Sequence, residues 1–299
     1  MDSKMEAKWP APGLSGAIWH YIRVHWYYFV SYFFGNWWVA SKPVSKFNHK
    51  VVFIGDGVAA GYGDYLTCVN TPGVVRHVDQ RRRAEPSIRL NWKFLNCGVL
   101  GSTSDEWHPE CKSPLSPFRS YGLFWGAFDK YFCRRRKPIF RQIFDDAKFN
   151  DAEIVVLCVG LNDSKYGGKA SEPKHTVENI SAICKELRSR DKTVIVNTIP
   201  LRWRLKESTT NDIFKQDSDR NSFIAQYINS LNDKRVILGA DLGSGIFNNT
   251  DFYTADAIHF DSTGYRRFAR ELQNTLFPAM VRVEVEKCYK PYFANGESN

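Results

Sequence analysis

The segment that most restricts the fold is Glu153–Val159, in which every residue after Glu153 is apolar. A short continuous apolar run fits a strand that is covered on both faces, as the strands of a parallel sheet are. Helical apolar spacing over Lys174–Arg190 and near Asn221–Leu231 separates this strand from others. Those strands are predicted at Val51–Ile54, Ile88–Asn96, Thr193–Ile199 and Arg235–Ala240. The alternation predicts an α/β fold with a five-stranded parallel sheet between helices.

Four loops rich in small and polar residues follow the predicted strands. Gly55-Asp56-Gly57 follows the first strand, Gly98-Val99-Leu100-Gly101 the second, and Gly160-Leu161-Asn162-Asp163 the third. The fourth loop follows the fifth strand and contains Asp256 and His259. Because ligands bind outside the carboxyl ends of the strands in such sheets, we expect the four loops to meet at one site.

Individual residues of these loops suggest acid–base chemistry. A carboxylate three residues before a histidine, as in Asp256 and His259, can hold one ring nitrogen and direct the other toward a substrate. Gly101 allows close approach of a backbone N–H to a ligand. Asn162 offers a side-chain N–H for a developing oxyanion. Each feature alone is also explained by an ordinary turn or a surface pair.

In order and spacing, the four blocks resemble the SGNH, or GDSL-type, hydrolases. The resemblance covers about residues 47–277. It implies a three-layer α/β/α sandwich of flavodoxin-like type and hydrolysis of carboxyl esters, with neither a metal nor a cofactor. That family acts on lipids, acyl thioesters, acetylated sugars and small esters, so the resemblance alone selects no substrate.

The resemblance also implies a role for each matching residue. The catalytic pair would be Asp256 and His259, and the oxyanion hole would be formed by Gly101 and Asn162. The supporting residues of the site loops would be Asp56, Gly160 and Asp163. In the family the first block reads Gly-Asp-Ser, and the serine is the nucleophile. In this chain Gly57 stands at that place.

Glycine has no side chain that could attack a carbonyl, which leaves four hypotheses. The chain is a pseudoenzyme that binds an acyl or glycan ligand, or a hydrolase in which His259 activates water directly. Alternatively, the nucleophile is displaced, or the chain is an engineered variant that lacks its serine. The candidates for a displaced nucleophile are Ser102, Thr103, Ser104 and Cys97.

The N-terminal part differs sharply in composition from the rest. Residues 1–16 are polar and are predicted to be disordered, whereas residues 17–41 are dominated by Trp, Tyr and Phe. No formal charge appears between Arg23 and Lys42. This pattern predicts a helix that spans a membrane or lies on it. A helix packed on the main domain and a secretory signal are the alternatives.

Positive charge follows that segment at Lys42, Lys46 and Lys50. By the positive-inside rule, the main domain would lie on the cytoplasmic side of the membrane. Seven widely spaced cysteines form no disulfide or zinc pattern and favour a reducing compartment. The sequence carries no signal of the oligomeric state.

Two further segments carry predictions. Residues 102–150 form an insertion whose aromatic run Tyr121–Phe128 precedes the basic run Arg134–Lys137. It is either a second membrane-contacting or acyl-binding element or a small satellite core. His108 and Cys111 lie in it, but two ligands do not make a metal site. The last helix is predicted to end at Pro278, and residues 278–299 form a tail with a short edge strand over Val281, Val283 and Val285.

Composition limits the partners. With 299 residues and 43% hydrophobic residues, the chain can form one substantial domain. Its net charge of +9 has no accompanying nucleic-acid recognition motif, so an anionic membrane surface is the expected partner and nucleic acid is not. The aromatic and basic flanks favour a lipid or acyl ester as substrate. A carbohydrate O-acetyl ester is the competing substrate class.

Overall fold

The computed structural model describes residues 48–67, 73–111, 138–164, 171–206 and 212–289. It also describes the backbone of Trp38 and Val39 and five helical positions nearer the N-terminus, which are Ser15, Ile18, Trp19, Ile22 and Trp26. Most of the predicted insertion, including Tyr121–Phe128 and Arg134–Lys137, lies outside these residues.

Six strands form one sheet in the order β1-β3-β2-β4-β5-β6. Strands β2 to β6 are parallel, which confirms the predicted five-stranded parallel sheet. The strands are β1 Trp38–Val39, β2 Asn48–Gly55, β3 Asn91–Gly98, β4 Ile154–Cys158, β5 Thr193–Val196 and β6 Val236–Leu238.

Strand β1 is a finding that the sequence did not predict. It pairs antiparallel with β3, with Trp38 opposite Asn96 and Val39 opposite Leu95. The helix predicted over residues 17–41 is therefore wrong at its end. An aromatic and a β-branched residue fit a strand well, and the open edge of β3 supplies the hydrogen bonds that such a short strand needs.

Helices cover both faces of the sheet and bury its central strands. They are α1 Gly57–Ala60, α2 Val74–Arg83, α3 Ser104–Trp107, α4 Ile139–Phe144, α5 Pro173–Ser189, α6 Ile213–Ser230 and α7 Ser262–Glu284. In β2, Val51 and Phe53 pack toward α2 and α7, whereas Val52 and Ile54 pack toward α4, α5 and α6. Alternate residues of a strand face opposite sides, so burial on both sides explains the continuous apolar run.

Helix α7 corrects two predictions about the C-terminal part. The helix does not end at Pro278 but runs through it to Glu284, and Val281–Val285 is not an edge strand. Met280 and Val283 are buried at helical spacing. A carboxylate oxygen of Glu284 also accepts a 2.8 Å hydrogen bond from the Trp92 indole at the start of β3. These contacts offset the backbone hydrogen bond that the proline ring removes.

Helix α6 begins at Ile213, before the start predicted near Asn221. Its first turns carry buried polar residues that hide the apolar spacing in the sequence. Among the residues that the structure describes, none of the helices combines the length and the apolar character needed to cross a bilayer.

A buried ion cluster links α6 to the loops that follow β4 and β5. The Asp217 carboxylate accepts hydrogen bonds from both Arg202 and Arg220, and the side chains of Asp217 and Arg220 are fully buried. Arg202 also donates to the carbonyl oxygen of Leu161, and Arg220 donates to the hydroxyl of Ser164. Through Leu161 and Ser164, the cluster therefore holds the loop after β4 in place.

Replacing Asp217 with alanine should leave two buried guanidinium groups without their shared carboxylate. We expect the free energy of unfolding to fall by about 3–5 kcal/mol, as measured by chemical denaturation. Asp233 supplies a matched control, because its ion pair with Arg188 joins side chains that are 37% and 26% exposed. Asp233→Ala should cost at most about 1 kcal/mol. Equal losses in the two variants would contradict a special role for the buried cluster.

Candidate active site

The first block of the site is organised by the buried carboxylate of Asp56. It caps α1 by accepting a 3.0 Å hydrogen bond from the backbone N–H of Val58. Its second oxygen accepts a 3.1 Å bond from the N–H of Leu161, in the loop after β4. Burial outweighs these bonds and raises the pKa of Asp56 to about 7. Asp56 thus joins the first and third blocks.

Gly57 is the first residue of α1 and faces His259. A Cβ atom on Gly57 would lie 2.7 Å from Nε2 of His259 and 2.8 Å from Cδ1 of Leu100. Both distances are shorter than any ordinary carbon contact. The first and last blocks therefore meet as the sequence predicts. A side chain at residue 57 would therefore require the ends of the His259 and Leu100 side chains to shift.

Asp256 and His259 form a close pair. Nδ1 of His259 lies 2.7 Å from one carboxylate oxygen of Asp256. The other oxygen accepts bonds from the backbone N–H groups of Ile258 and His259 and from the hydroxyl of Thr254. Burial opposes ionisation of this carboxyl, but the imidazole and these donors hold its pKa well below the usual range. Ala257 adopts a left-handed backbone conformation with φ of 57°, which closes the turn between them.

The second and third blocks meet through Asn162. Its Nδ2 donates a 2.9 Å hydrogen bond to the carbonyl oxygen of Ser102, the residue after Gly101. An amide nitrogen carries two donors. In the described part of the chain, the other N–H of Asn162 has no protein partner. Gly101 has a φ of 78° and Gly160 a φ of 118°, so both loops use conformations that favour glycine.

Asp163 supports this loop rather than facing the crevice. Its carboxylate accepts a 2.9 Å bond from the backbone N–H of Ser104. It also accepts 2.6 Å bonds from the hydroxyls of Ser104 and Thr176. The residues on either side of Asn162 are therefore held by side chains from other elements. Such support is what a preorganised oxyanion donor requires.

The candidates for a displaced nucleophile are occupied elsewhere. The Ser102 hydroxyl donates to the carbonyl of Val99 and accepts from the Trp107 indole, and the Ser104 hydroxyl binds Asp163. Thr103 caps α3. Cys97 is fully buried, and burial raises the pKa of its thiol well above the ordinary value. None of these four side chains hydrogen-bonds to His259.

Several residues near the site had no signal of a functional role in the sequence. The ring of Tyr62 packs edge-on against the His259 imidazole, with 4.7 Å between ring centroids. The hydroxyl of Tyr265 donates a 3.3 Å bond to the carbonyl of Gly57. Leu100 lies inside the second block but looks like a spacer between glycines. Their positions next to the site are determined by contacts with residues that are distant along the chain.

A cavity of about 170 Å³ lies next to Asp256 and the turn that leads to His259. Its walls are formed by Arg202, Arg204, Leu205, Asp256, Ala257 and Ile258. Within the described ranges, no group of three or more His, Cys, Asp and Glu side chains is arranged to hold a metal ion.

Comparison with solved structures identifies similar folds. A lipase/acylhydrolase from Enterococcus faecalis is 17% identical over 80% of this chain and 96% of its own, with a TM-score of 0.48. An acetylxylan esterase from Geobacillus stearothermophilus is 17% identical over 76% of this chain and 93% of its own, also at 0.48. An acetyl esterase variant with an acetate ion is 14% identical over 79% and 99% of the two chains, at 0.50.

At such low identities these likenesses concern the fold alone. No match was found among curated proteins. The model of the GDSL-like Lipase/Acylhydrolase family matches residues 53–267, which include all four blocks. Because that match covers more than half of its 299 residues, the chain belongs to the GDSL-like lipase/acylhydrolase family.

Proposed function

We propose that the protein binds carboxyl esters at this site and hydrolyses them slowly through water activated by His259. The observation that carries this proposal is the 2.7 Å contact between His259 and Asp256, in a site that offers the imidazole no serine at residue 57. Asp256 keeps a proton on Nδ1, which leaves Nε2 as the base. An imidazole oriented in this way can accept a proton from water at Nε2.

The proposed reaction uses residues in three blocks. Water attacks the carbonyl carbon of the ester, and Nε2 of His259 takes its proton. The backbone N–H of Gly101 and the free N–H of Asn162 stabilise the oxyanion that forms. When the tetrahedral intermediate collapses, the C–O bond to the leaving group breaks. His259 returns the proton to that alkoxide, so an acid and an alcohol are released with no covalent enzyme intermediate.

The absence of a nucleophile sets the expected rate. Removing the serine of a hydrolase triad costs about a million-fold in kcat, while about 1,000- to 10,000-fold over uncatalysed hydrolysis survives through binding and the oxyanion hole. General-base catalysis by His259 would add about 100-fold or more to that residual, so we place the protein above this range and well below a hydrolase that has its serine.

A second candidate function is ligand binding without turnover, as a membrane-tethered pseudoenzyme for an acyl or glycan ligand. The glycine at residue 57 favours it, because it supplies no nucleophile and the side chains of Cys97, Ser102 and Ser104 are buried or bonded elsewhere. The two candidates differ in one measurable property, which is turnover dependent on His259.

For the substrate, we propose a lipid or another acyl ester. The support is the aromatic and basic character of residues 17–50, which suits a protein at a membrane surface. The location proposed from Lys42, Lys46 and Lys50 is the cytoplasmic side of a membrane. A carbohydrate O-acetyl ester remains the competing substrate. One structural neighbour is an acetylxylan esterase, but at 17% identity that likeness concerns the fold alone.

Hydrolysis of a short nitrophenyl ester tests the proposed reaction. We expect slow turnover by the unmodified chain and a loss of about 100-fold or more in His259→Ala, because general-base catalysis typically contributes that much. His175→Ala is the matched control, since His175 is 46% exposed and pairs with Asp105 outside the site. Turnover that survives in His259→Ala would exclude the dyad as base. Ligand binding by an inert unmodified chain would support the second candidate.

Restoring the missing side chain should require a second change. In Gly57→Ser the new Cβ would meet Leu100 and the imidazole, and overpacking of this kind costs about 1–3 kcal/mol. We expect Gly57→Ser with Leu100→Ala to hydrolyse the ester faster than Gly57→Ser alone, by about tenfold for each 1.4 kcal/mol of this strain that persists in the transition state.

Leu100→Ala alone is the control and should gain no activity. Thermal melts of all three variants show whether each remains folded, because removing a buried leucine side chain costs about 2–5 kcal/mol. Equal rates for Gly57→Ser and for the double variant would mean that the His259 ring and Leu100 move aside for a serine without a measurable cost.

A further inference from the structure

Four large apolar side chains near the N-terminus lie at helical positions and are exposed. Ile18, Trp19, Ile22 and Trp26 are helical, and their exposed fractions are 53%, 58%, 49% and 53%. Successive residues of an α-helix are about 100° apart, so these positions fall within an arc of about 100°. We refer to these four residues as the aromatic arc. Exposed apolar residues scattered singly need no explanation, but four at the spacing of one helical side mark a contact surface.

The charge around the aromatic arc has one sign. Residues 7–55 contain no aspartate or glutamate, and their five basic residues are Lys8, Arg23, Lys42, Lys46 and Lys50. A surface that combines tryptophan and isoleucine with cationic flanks suits the headgroup region of an anionic bilayer. There, tryptophan is favoured and each nearby Lys or Arg adds attraction. A second copy of this chain would bring like charges together.

Strand β1 determines where this part of the chain joins the domain. It runs antiparallel to β3, and Trp38 lies opposite Asn96, two residues before the end of β3 at Gly98. The start of β1 at Trp38 therefore lies toward the carboxyl ends of the parallel strands. Gly57, Gly101 and Asn162 lie in loops at the same edge.

We propose that the aromatic arc docks the protein on an anionic lipid bilayer with the active-site edge of the sheet turned toward the membrane. The consequence for the substrate rests on the proposed function, because an ester held in the bilayer would then reach the site without crossing bulk water. The docking itself does not depend on turnover.

Two other exposed apolar residues test the orientation. Ile246 is 51% exposed and lies in the loop after β6, at the same edge as the site. Val285 is 43% exposed and directly follows α7, whose last residue Glu284 bonds to Trp92 at the opposite edge. The proposed orientation brings Ile246 near the lipid and keeps Val285 away from it.

The experiment is co-sedimentation of the full chain with vesicles of phosphatidylcholine and phosphatidylserine, and with vesicles of phosphatidylcholine alone. We expect binding to the mixed vesicles, weaker binding to the neutral ones, and weakening by salt. The variant Trp19→Ser with Trp26→Ser should bind at least about tenfold more weakly, because interfacial affinity scales with buried apolar area. Ile246→Ser should weaken binding to a smaller extent, and Val285→Ser should bind as the unmodified chain does.

Three results would overturn the proposal. They are no binding of the unmodified chain to either vesicle, full binding by the double tryptophan variant, or a concentration-dependent dimer that the double variant loses while vesicle binding is absent. A greater loss in Val285→Ser than in Ile246→Ser would overturn the orientation. His259→Ala should bind vesicles normally, so failure of docking and failure of the proposed hydrolysis are told apart.

Discussion

The buried carboxylate of Asp56 is the interaction on which the site depends. It starts α1 through Val58 and holds the Leu161 peptide of the neighbouring loop, so two strands of the sheet present their loops in a fixed relation. Burial makes this carboxyl hard to ionise, and the pKa of about 7 places its protonation near neutral pH. The backbone N–H groups of Val58 and Leu161 nevertheless hold the carboxylate in place, directly after the buried end of β2.

The Leu161 peptide is held from both sides. Its N–H donates to Asp56, and its carbonyl accepts from Arg202, which is in turn bound to Asp217. On the other side of Asn162, the Asp163 carboxylate is bound to Ser104 and Thr176. Asn162 therefore projects from a short segment with little freedom to relax. This rigidity is what gives a hydrogen-bond donor its value toward a transient charge.

The sequence was sufficient for the fold and for the assembly of the site, because both follow from short-range patterns. Apolar runs such as β4 identify buried strands, and the carboxyl ends of parallel strands share an edge. The sequence was insufficient where an element depends on a partner that is distant along the chain. Strand β1 exists through its pairing with β3, α7 continues past Pro278 through its buried face and Glu284, and the Asp217 cluster joins residues with no common motif. Leu100 is another such case, since only its contact with residue 57 reveals its effect.

At residue 57, losing a side chain and regaining one have different structural consequences. The turn before α1 is capped by the side chain of Asp56, so its shape requires nothing from a side chain at residue 57. A lineage that loses a side chain there keeps its architecture. With Leu100 and His259 this close to the glycine, however, a later mutation that restores the side chain must displace the ends of both neighbouring side chains. In evolutionary terms, loss of the side chain costs the turn nothing, whereas its return requires two neighbours to move.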